Sequence, residues 1–147
     1  MEIRVKRLTS NDGDRARRLF RVMAEVFTEE NAPLSDGYLD QLLRRKEFWV
    51  LAAFVEDDII GGVTAHTLPM TRTESSEVFI YDIAVESEYR RKGVGRCLLN
   101  ALCEQASEDG IQTVFVSVDN GDVHALEFYR SLGGTPLPVM IFSFPHS

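Results

Sequence analysis

The sequence predicts an α/β domain in which helices cover both faces of a mixed sheet. Two observations carry this prediction: apolar, strand-like runs are separated by stretches of helical periodicity, and no repeat or low-complexity segment interrupts them. The 147 residues, 44% of them hydrophobic, can bury one core and are too few for two ordinary domains. We therefore expect a single domain over residues 1–147.

The N-terminal part predicts one strand followed by two short helices. Apolar and cationic residues alternate over positions 3–8, as in a half-buried strand. Asp12 or Asp14 can then cap a helix whose apolar positions recur at three and four residues. Pro33 breaks that pattern, and Ser35 is a suitable cap for a second helix.

An antiparallel hairpin is predicted next. Residues 48–55 are strongly apolar, residues 56–58 form an acidic turn, and residues 59–68 return. Gly61 and Gly62 in the returning strand indicate a bulge or a close approach of another part of the chain.

The chain is organised around residues 77–96, a buried strand and a basic turn that opens a helix running from about Gly93 to Ser107. Backbone N–H groups at a helix start lack partners and carry partial positive charge, and glycine lets a phosphate approach them. We predict a diphosphate site here, the alternative being a solvated basic turn. Its residues are Arg90, Arg91, Lys92, Gly93, Val94, Gly95 and Arg96.

The remaining chain predicts a strand, a helix and a last strand. The strand covers residues 112–118, the helix ends near Ser131, and two glycines at 133–134 follow it. A final strand is expected around residues 139–144, with prolines just before it that make its first residues bent or edge-like.

The formal charge of −7, from 16 basic and 23 acidic residues, bears on partners. A nucleic-acid-binding protein needs a basic face, so nucleic acid is disfavoured and a cationic substrate suits the chain better. No apolar run approaches membrane-spanning length, and the N-terminus lacks a signal-peptide pattern. We expect a soluble cytoplasmic protein with no membrane partner.

The cysteines and histidines give no metal or disulfide pattern. Cys97 and Cys103 fall in one predicted helix, at a spacing that suits neither a disulfide nor a zinc site. His66, His124 and His146 are scattered without ligand spacing, so no metal is expected.

Two motifs resemble those of the GNAT superfamily of N-acetyltransferases. The pattern Arg-x-x-Gly-x-Gly from Arg90 to Gly95 resembles the coenzyme A loop of that family, which has Gln or Arg, two residues, Gly, one residue, and Gly or Ala. Residues 125–133, which include Tyr129, are similar to its last motif, Ala-x-x-x-Tyr before a helix-ending glycine. The resemblance implies the GNAT fold, with a mostly antiparallel sheet of six to seven strands, and acetyl-coenzyme A as co-substrate without a metal.

The resemblance also implies roles for particular residues. The central strand would diverge from the strand at 112–118, and backbone groups of Ile83, Ala84 and Val85 would pair with pantetheine. Backbone N–H groups between Arg91 and Arg96 would hold the pyrophosphate. The phenol of Tyr129 would return a proton to the departing thiolate, the alternative being an ordinary half-buried tyrosine.

One position departs from the family pattern. Many members have asparagine seven residues before this tyrosine, whereas this chain has Asp122, with Asp119 and Asn120 just upstream. A carboxylate there would bring negative charge towards the thioester, where it can bind or deprotonate a cation.

A narrower resemblance covers residues 38 to 133. The segments 38–44, 48–54, 80–85 and 119–122 look like those of class I aminoglycoside 3-N-acetyltransferases. These antibiotic-resistance enzymes acetylate the 3-amino group of the deoxystreptamine ring in gentamicin-type drugs. We expect direct transfer in a ternary complex, because no base is spaced to activate Cys97 or Cys103 as a nucleophile. Homodimers are common in the family, although no dimer surface can be identified from the sequence.

Acidic residues would line the cleft for such a cationic amine. We expect Glu77, Asp82, Asp119 and Asp122 to attract it, and any of the four to act as general base. Strand alternation predicts that Ile80, Asp82 and Ala84 share one face of the central strand. A buried aspartate needs a partner, so Asp82 either forms a structural ion pair or faces the cleft.

Other interpretations stay open. Glu29 and Glu30 could join the acidic cleft, but we favour the interpretation that they are surface residues that keep the protein soluble. A GNAT enzyme for another amine, such as a polyamine, a small amino compound or a protein N-terminus, fits the acidic cleft almost as well. A non-catalytic module that binds acetyl-coenzyme A is the alternative from another class.

Overall fold

The computed structural model describes residues 1–146, which form two compact units that are described here separately. The first unit ends at Ser117, and the second begins at Val118. The helices of the first unit are α1 (Gly13–Val26), α2 (Asp36–Arg44) and α3 (Val94–Glu108), and its strands are β1 (Arg4–Arg7), β2 (Phe48–Val55), β3 (Asp58–Pro69), β4 (Ser76–Val85) and β5 (Thr113–Val116). The second unit contains α4 (Val123–Ser131).

The sheet has five strands in the order β1-β2-β3-β4-β5. Neighbouring strands from β1 to β4 are antiparallel, and β5 is parallel to β4. The short turn between β2 and β3 allows a hairpin, whereas α3 supplies the crossover that a parallel neighbour requires. The predicted α/β class and the mixed, mostly antiparallel sheet are confirmed.

Two apolar cores lie on the two faces of this sheet. On the α1 face, α1 and α2 contribute Leu19 and Leu39 to a cluster that also contains Val50 of β2. On the α3 face, Leu98 packs in a cluster with Trp49, whose side chain is 2% exposed. The guanidinium carbon of Arg7 lies 5.2 Å from the Trp49 ring centroid. The strand β2 is therefore buried on both sides, as its continuous apolar sequence predicts.

The paired glycines of β3 mark close packing. A Cβ at Gly62 would lie 2.7 Å from Leu19 Cδ2, so α1 can approach the sheet here only because the side chain is absent. At Gly61 a Cβ would lie 2.6 Å from the carbonyl oxygen of Ala84 on β4. The pairing of β2 with β3 also contains a bulge beside these glycines. Both features predicted from Gly61 and Gly62 are confirmed.

Asp12 is a buried carboxylate at the N-cap position of α1, but its side chain does not cap that helix as predicted and instead closes the short 3-10 turn Ser10–Asp12 before it. The backbone N–H of Thr9 donates to Asp12 Oδ2 at 2.8 Å. Arg15 Nη1 and Lys6 Nζ donate to Oδ1 at 2.9 and 3.2 Å. Burial alone would raise the pKa of Asp12, but these hydrogen bonds and the charge of Lys6 outweigh it and lower the pKa to about 2.

The sheet has five strands where six to seven were expected. Residues 139–144, predicted as the last strand, are not in a strand. The strand predicted over residues 112–118 is shorter, Thr113–Val116. Among residues 1–146, no helix combines the length and the apolar character needed to cross a membrane.

Candidate active site

An open edge of β4 lies where the resemblance places pantetheine. Pairing of β4 with β5 ends at Ile80, which lies opposite Val116. From Asp82 to Val85 the strand pairs with β3 only, so no described strand covers its other side. Backbone groups of Ile83, Ala84 and Val85 therefore belong to a strand edge that can accept an extended, amide-bearing ligand.

The turn after β4 leads into the N-terminus of α3. Gly93 is the N-cap with φ +85°, a left-handed conformation in which glycine is strongly favoured. No side chain caps the helix at this end, so the first-turn N–H groups of Val94, Gly95 and Arg96 are available to an anion. Arg91 also adopts a left-handed conformation, with φ +62°. A backbone this unusual fits a loop shaped around a ligand.

Exposed cations surround this helix start. The side chains of Arg90, Arg91, Lys92 and Arg96 are all at the surface. Lys92 Nζ lies 5.6 Å from the ring centroid of Tyr89, a cation–π contact. A Cβ at Gly93 would meet no atom within 4 Å, so the space in front of the turn is open. Uncapped N–H groups, open space and four cations are compatible with a diphosphate, which stays a prediction at this helix start.

A β-bulge in β4 shapes the other part of the site. Thr64 on β3 pairs with Asp82, and the next residue, Ala65, pairs with Ile80, which leaves Tyr81 as the extra residue. Ile80 consequently faces the α3 core, whereas Ala84 faces the α1 core. The expected sharing of one face by Ile80, Asp82 and Ala84 is therefore wrong, because the bulge reverses the alternation between Ile80 and Asp82.

Tyr81 and Asp82 both line a cavity of about 710 Å³ on the α1 face. Neighbouring side chains on a regular strand point to opposite faces, so the bulge is what brings this pair together. The cavity has the size of a small-molecule site. Its lining is Arg17, Phe20, Arg21, Met23, Ala24, Phe27, Glu29, Glu30, Asn31, Ala32, Pro33, Leu34, Tyr38, Leu42, Phe48, Thr64, His66, Tyr81 and Asp82.

Aromatic rings form a row across four strands beside this cavity. The ring of His66 lies 5.1 Å from that of Phe48 and 5.7 Å from that of Tyr81. The row continues from Tyr81 to Phe79 at 6.2 Å, and from Phe79 to Phe115 at 5.1 Å. Tyr81 is 65% exposed despite these contacts, so one face of its ring is available to a ligand. Neither Tyr81 nor His66 was predicted as a site residue, and the adjacent pair Tyr-Asp within an apolar strand was the available signal.

The carboxyl group of Asp82 lies among other acidic side chains in the lining of the cavity. Burial raises the pKa of the Asp82 carboxyl, and the negative charge of Glu29 raises it further. Glu30 adds a third carboxylate to the lining. Of the two arginines there, Arg17 forms an ion pair with Asp36 at 2.6 Å. The interpretation of Glu29 and Glu30 as merely solubilising is therefore revised, since both line the cavity beside Asp82.

The remaining predicted acidic residues are Glu77 in the first unit and Asp119 and Asp122 in the second. Glu77, near the start of β4, is not among the residues that line the cavity. In the second unit, Asp122 caps α4, its Oδ1 accepting from the N–H of Ala125 at 3.1 Å. Asp119 Oδ1 accepts from the N–H of Gly121 at 3.0 Å, which forms a local turn. Both carboxylates of this unit thus accept hydrogen bonds from backbone N–H groups close to them in the chain.

Tyr129 lies in the second turn of α4 and is half-buried. Its ring makes an edge contact with Phe128 at 5.0 Å between centroids. Its carbonyl oxygen accepts from the N–H of Gly134 at 2.9 Å, and a Cβ at Gly134 would lie at the same distance from that oxygen. The glycine after the helix is thus needed for the chain to fold back over Tyr129.

Both cysteines are free thiols of α3. Cys97 is half-buried in α3, and Cys103 lies at the surface of the same helix. Partial burial nevertheless raises the pKa of the Cys103 thiol, so little of it is thiolate at neutral pH. Within residues 1–146, no three His, Cys, Asp or Glu side chains come together as a metal site.

The sequence profile of the acetyltransferase (GNAT) family matches residues 9–133. The ribosomal protein bS18-alanine N-acetyltransferase of Escherichia coli K12 is 33% identical over 64 residues, which are 44% of this chain and 43% of that protein. The match therefore spans less than half the length of this curated relative.

Two solved structures are similar over almost their whole length. One is the aminoglycoside acetyltransferase meta-AAC0020 from an uncultured soil metagenomic sample, solved in complex with sisomicin. It aligns with a TM-score of 0.94 and 31% sequence identity, and the alignment covers 99% of this chain and 97% of that chain. The aminoglycoside acetyltransferase HMB0005, also from uncultured soil, has a TM-score of 0.95 and 29% identity, with both chains fully covered.

Proposed function

This chain belongs to the acetyltransferase (GNAT) family, and from that premise we propose that it transfers an acetyl group from acetyl-coenzyme A to the 3-amino group of an aminoglycoside. The observation that carries the proposal is the cavity of about 710 Å³ that Asp82 and Glu29 line, because Asp82 also begins the open edge of β4. An amine held at Asp82 would lie next to the strand edge assigned to pantetheine.

The residues for the co-substrate fit acetyl-coenzyme A. Its pyrophosphate would be held by the N–H groups of Val94, Gly95 and Arg96 and by the surrounding cations. Its pantetheine amides would pair with the backbone of Ile83 and Val85. When bound, acetyl-coenzyme A supplies the acetyl group as an activated thioester.

The acceptor's charge suits the cavity. An aminoglycoside carries several ammonium groups, and the carboxylates of Asp82, Glu29 and Glu30 can pair with them. The exposed ring of Tyr81 gives a flat surface for the apolar face of an amino sugar. The structural similarity to meta-AAC0020, which was crystallised with sisomicin, supports this substrate class.

We assign the general base to Asp82 among the four acidic candidates. A carboxyl with a raised pKa accepts a proton more readily than an ordinary one, and Asp82 lines the cavity. It can take the proton from the attacking ammonium, so that the amine attacks the thioester directly. Tyr129 would donate a proton to the leaving thiolate. The raised pKa of Cys103 fits a route without a covalent enzyme intermediate.

A second candidate function has a specific observation in its favour. The matched relative from Escherichia coli acetylates an alanine of a ribosomal protein, so a protein N-terminus is a competing acceptor. A peptide would place one ammonium at Asp82 and leave Glu29 and Glu30 without a cationic partner. The three carboxylates therefore favour the polycationic acceptor.

One assay separates the candidates. Release of coenzyme A from acetyl-coenzyme A is measured with gentamicin, sisomicin, spermidine and a peptide that begins with alanine. We expect kcat/KM to be highest for the aminoglycosides, with NMR of the product placing the acetyl group on the 3-amino nitrogen. No release with any aminoglycoside would contradict the proposed substrate, and preferred turnover of the peptide would establish the alternative.

A further inference from the structure

Thr64 of β3 is a buried polar residue in the lining of the acceptor cavity, the cavity of about 710 Å³ that also contains Asp82. Thr64 is only 6% exposed. Its neighbours on the strand, Val63 and Ala65, belong to the core on the α3 face. Because side chains alternate along a strand, the side chain of Thr64 points to the α1 face, where the acceptor cavity lies.

The hydroxyl of Thr64 reaches the open space of this cavity. Within residues 1–146, no side-chain hydrogen bond involves Thr64, yet no polar side-chain atom there is both fully buried and without a partner. The hydroxyl oxygen is therefore accessible from the cavity. Valine has nearly the same shape and would avoid the cost of burying a hydroxyl, so a threonine at this position indicates a ligand for its oxygen.

Thr64 lies directly opposite Asp82 in the pairing of β3 with β4. Residues opposite each other in an antiparallel pair have Cβ atoms about 4.5–5.5 Å apart, so the hydroxyl and the carboxylate flank one small part of the cavity. The bulge at Tyr81 is what turns Asp82 towards the same face as Thr64. An ammonium carries three N–H donors and can therefore reach both oxygens at once.

We propose that Thr64 is a second acceptor-binding residue, whose hydroxyl oxygen accepts a hydrogen bond from the same amine that Asp82 deprotonates; this inference rests on the acetyl transfer proposed above. Asp82 takes one proton of the ammonium, and the hydroxyl of Thr64 holds a second N–H. Once the amine is neutral, its charge attraction to Asp82 is gone. The hydrogen bond to Thr64 then keeps the nitrogen in place for its attack on the thioester.

Initial rates of coenzyme A release test this role of the hydroxyl. Thr64→Val keeps the shape of the side chain, and kcat/KM for the acceptor should fall about 10-fold, the effect of one hydrogen bond to a charged group. The dissociation constant of acetyl-coenzyme A, measured by calorimetry, should change little. Thr64→Ser restores the hydroxyl and should bring kcat/KM back to within about threefold of the wild-type value.

The matched control is Thr67→Val, the same change three residues along the same strand. Thr67 is not among the residues that line the cavity, so this variant should keep the wild-type kcat/KM. An unchanged kcat/KM in Thr64→Val, an equal loss in Thr64→Ser, or an equal loss in Thr67→Val would overturn the role of the hydroxyl.

A double variant, Thr64→Val with Asp82→Asn, tests whether the two residues hold the same amine. The hydroxyl can position the nitrogen only where Asp82 also binds it. The combined loss of kcat/KM should therefore be smaller than the product of the two single losses. A combined loss equal to that product would mean that the two side chains act independently, and would overturn the proposal.

Failure of the proposed function gives a different result. A loss in Asp82→Asn together with wild-type rates in Thr64→Val overturns only the role of Thr64. A wild-type protein that acetylates spermidine or a peptide but no aminoglycoside contradicts the proposed acceptor, and the same variants then test Thr64 with that amine. Silence with every amine overturns both.

Discussion

Asp82→Asn tests the assignment of the acceptor cavity, because it keeps the shape of the side chain and removes its charge. A hydrogen-bonded pair between a half-buried carboxylate and an ammonium contributes about 1.5–3 kcal/mol, and 1.4 kcal/mol corresponds to a tenfold change. We therefore expect kcat/KM for the aminoglycoside to fall about 10- to 100-fold, while KM for acetyl-coenzyme A changes little. The measurement is initial-rate release of coenzyme A at varied acceptor concentration.

The pH dependence sharpens this test. Burial and the charge of Glu29 raise the pKa of Asp82, so its carboxylate is lost at a higher pH than that of an ordinary aspartate. In the wild-type protein, kcat/KM for the acceptor should fall as the pH is lowered through this raised pKa. In Asp82→Asn this decrease at low pH should be absent. Asp57→Asn, in the exposed turn before β3, is the charge-matched control. An unchanged kcat/KM in Asp82→Asn, or an equal loss in the control, would refute the assignment.

Three further variants test other parts of the structure. Tyr129→Phe should lower kcat roughly 100-fold, whereas the dissociation constant of acetyl-coenzyme A, measured by calorimetry, should change little. An unchanged kcat would contradict the role of Tyr129 as proton donor. Asp12→Asn should lower the free energy of unfolding at pH 7 by about 1–2 kcal/mol in urea titrations. Solvent screens the half-exposed partners Lys6 and Arg15, so this loss is smaller than the pKa shift alone would give. Folding lowers the pKa of Asp12 from 3.8 to about 2. The Asp12 carboxylate therefore makes its full contribution to the free energy of unfolding above about pH 5, and this contribution is lost as the pH falls from 3.8 towards 2. Gly62→Ala should cost about 1–3 kcal/mol by thermal unfolding, because α1 would have to move away from β3.

Much of the fold follows from local sequence patterns. The alternation in β1, the double-sided apolar run of β2 and the glycine pair of β3 depend on neighbours within a few residues, and each predicted its element. The helix start at Gly93 was equally predictable, since a strand, cations and glycines follow one another directly. The helix start to which we assign the diphosphate could therefore be located from the sequence alone, whereas its ligand stays a prediction.

The acceptor cavity depends on contacts that sequence patterns do not carry. The bulge at Tyr81 is defined by the register of β4 against β3, and one extra residue reverses which face Asp82 occupies. Glu29 follows α1 by only a few residues, yet it reaches Asp82, which is more than fifty positions away in the chain. Residues 139–144 have the sequence of a strand but are not in one, so propensity alone was misleading there.

The protein's single tryptophan offers a built-in optical probe. Trp49 shares its core with Val94 and Leu98, the side chains that anchor the first turns of α3. Any ligand that tightens or shifts the start of that helix will alter the surroundings of the indole, and its emission reports the change without a label. Titrating coenzyme A while following this fluorescence gives a direct view of the loop between Arg90 and Arg96.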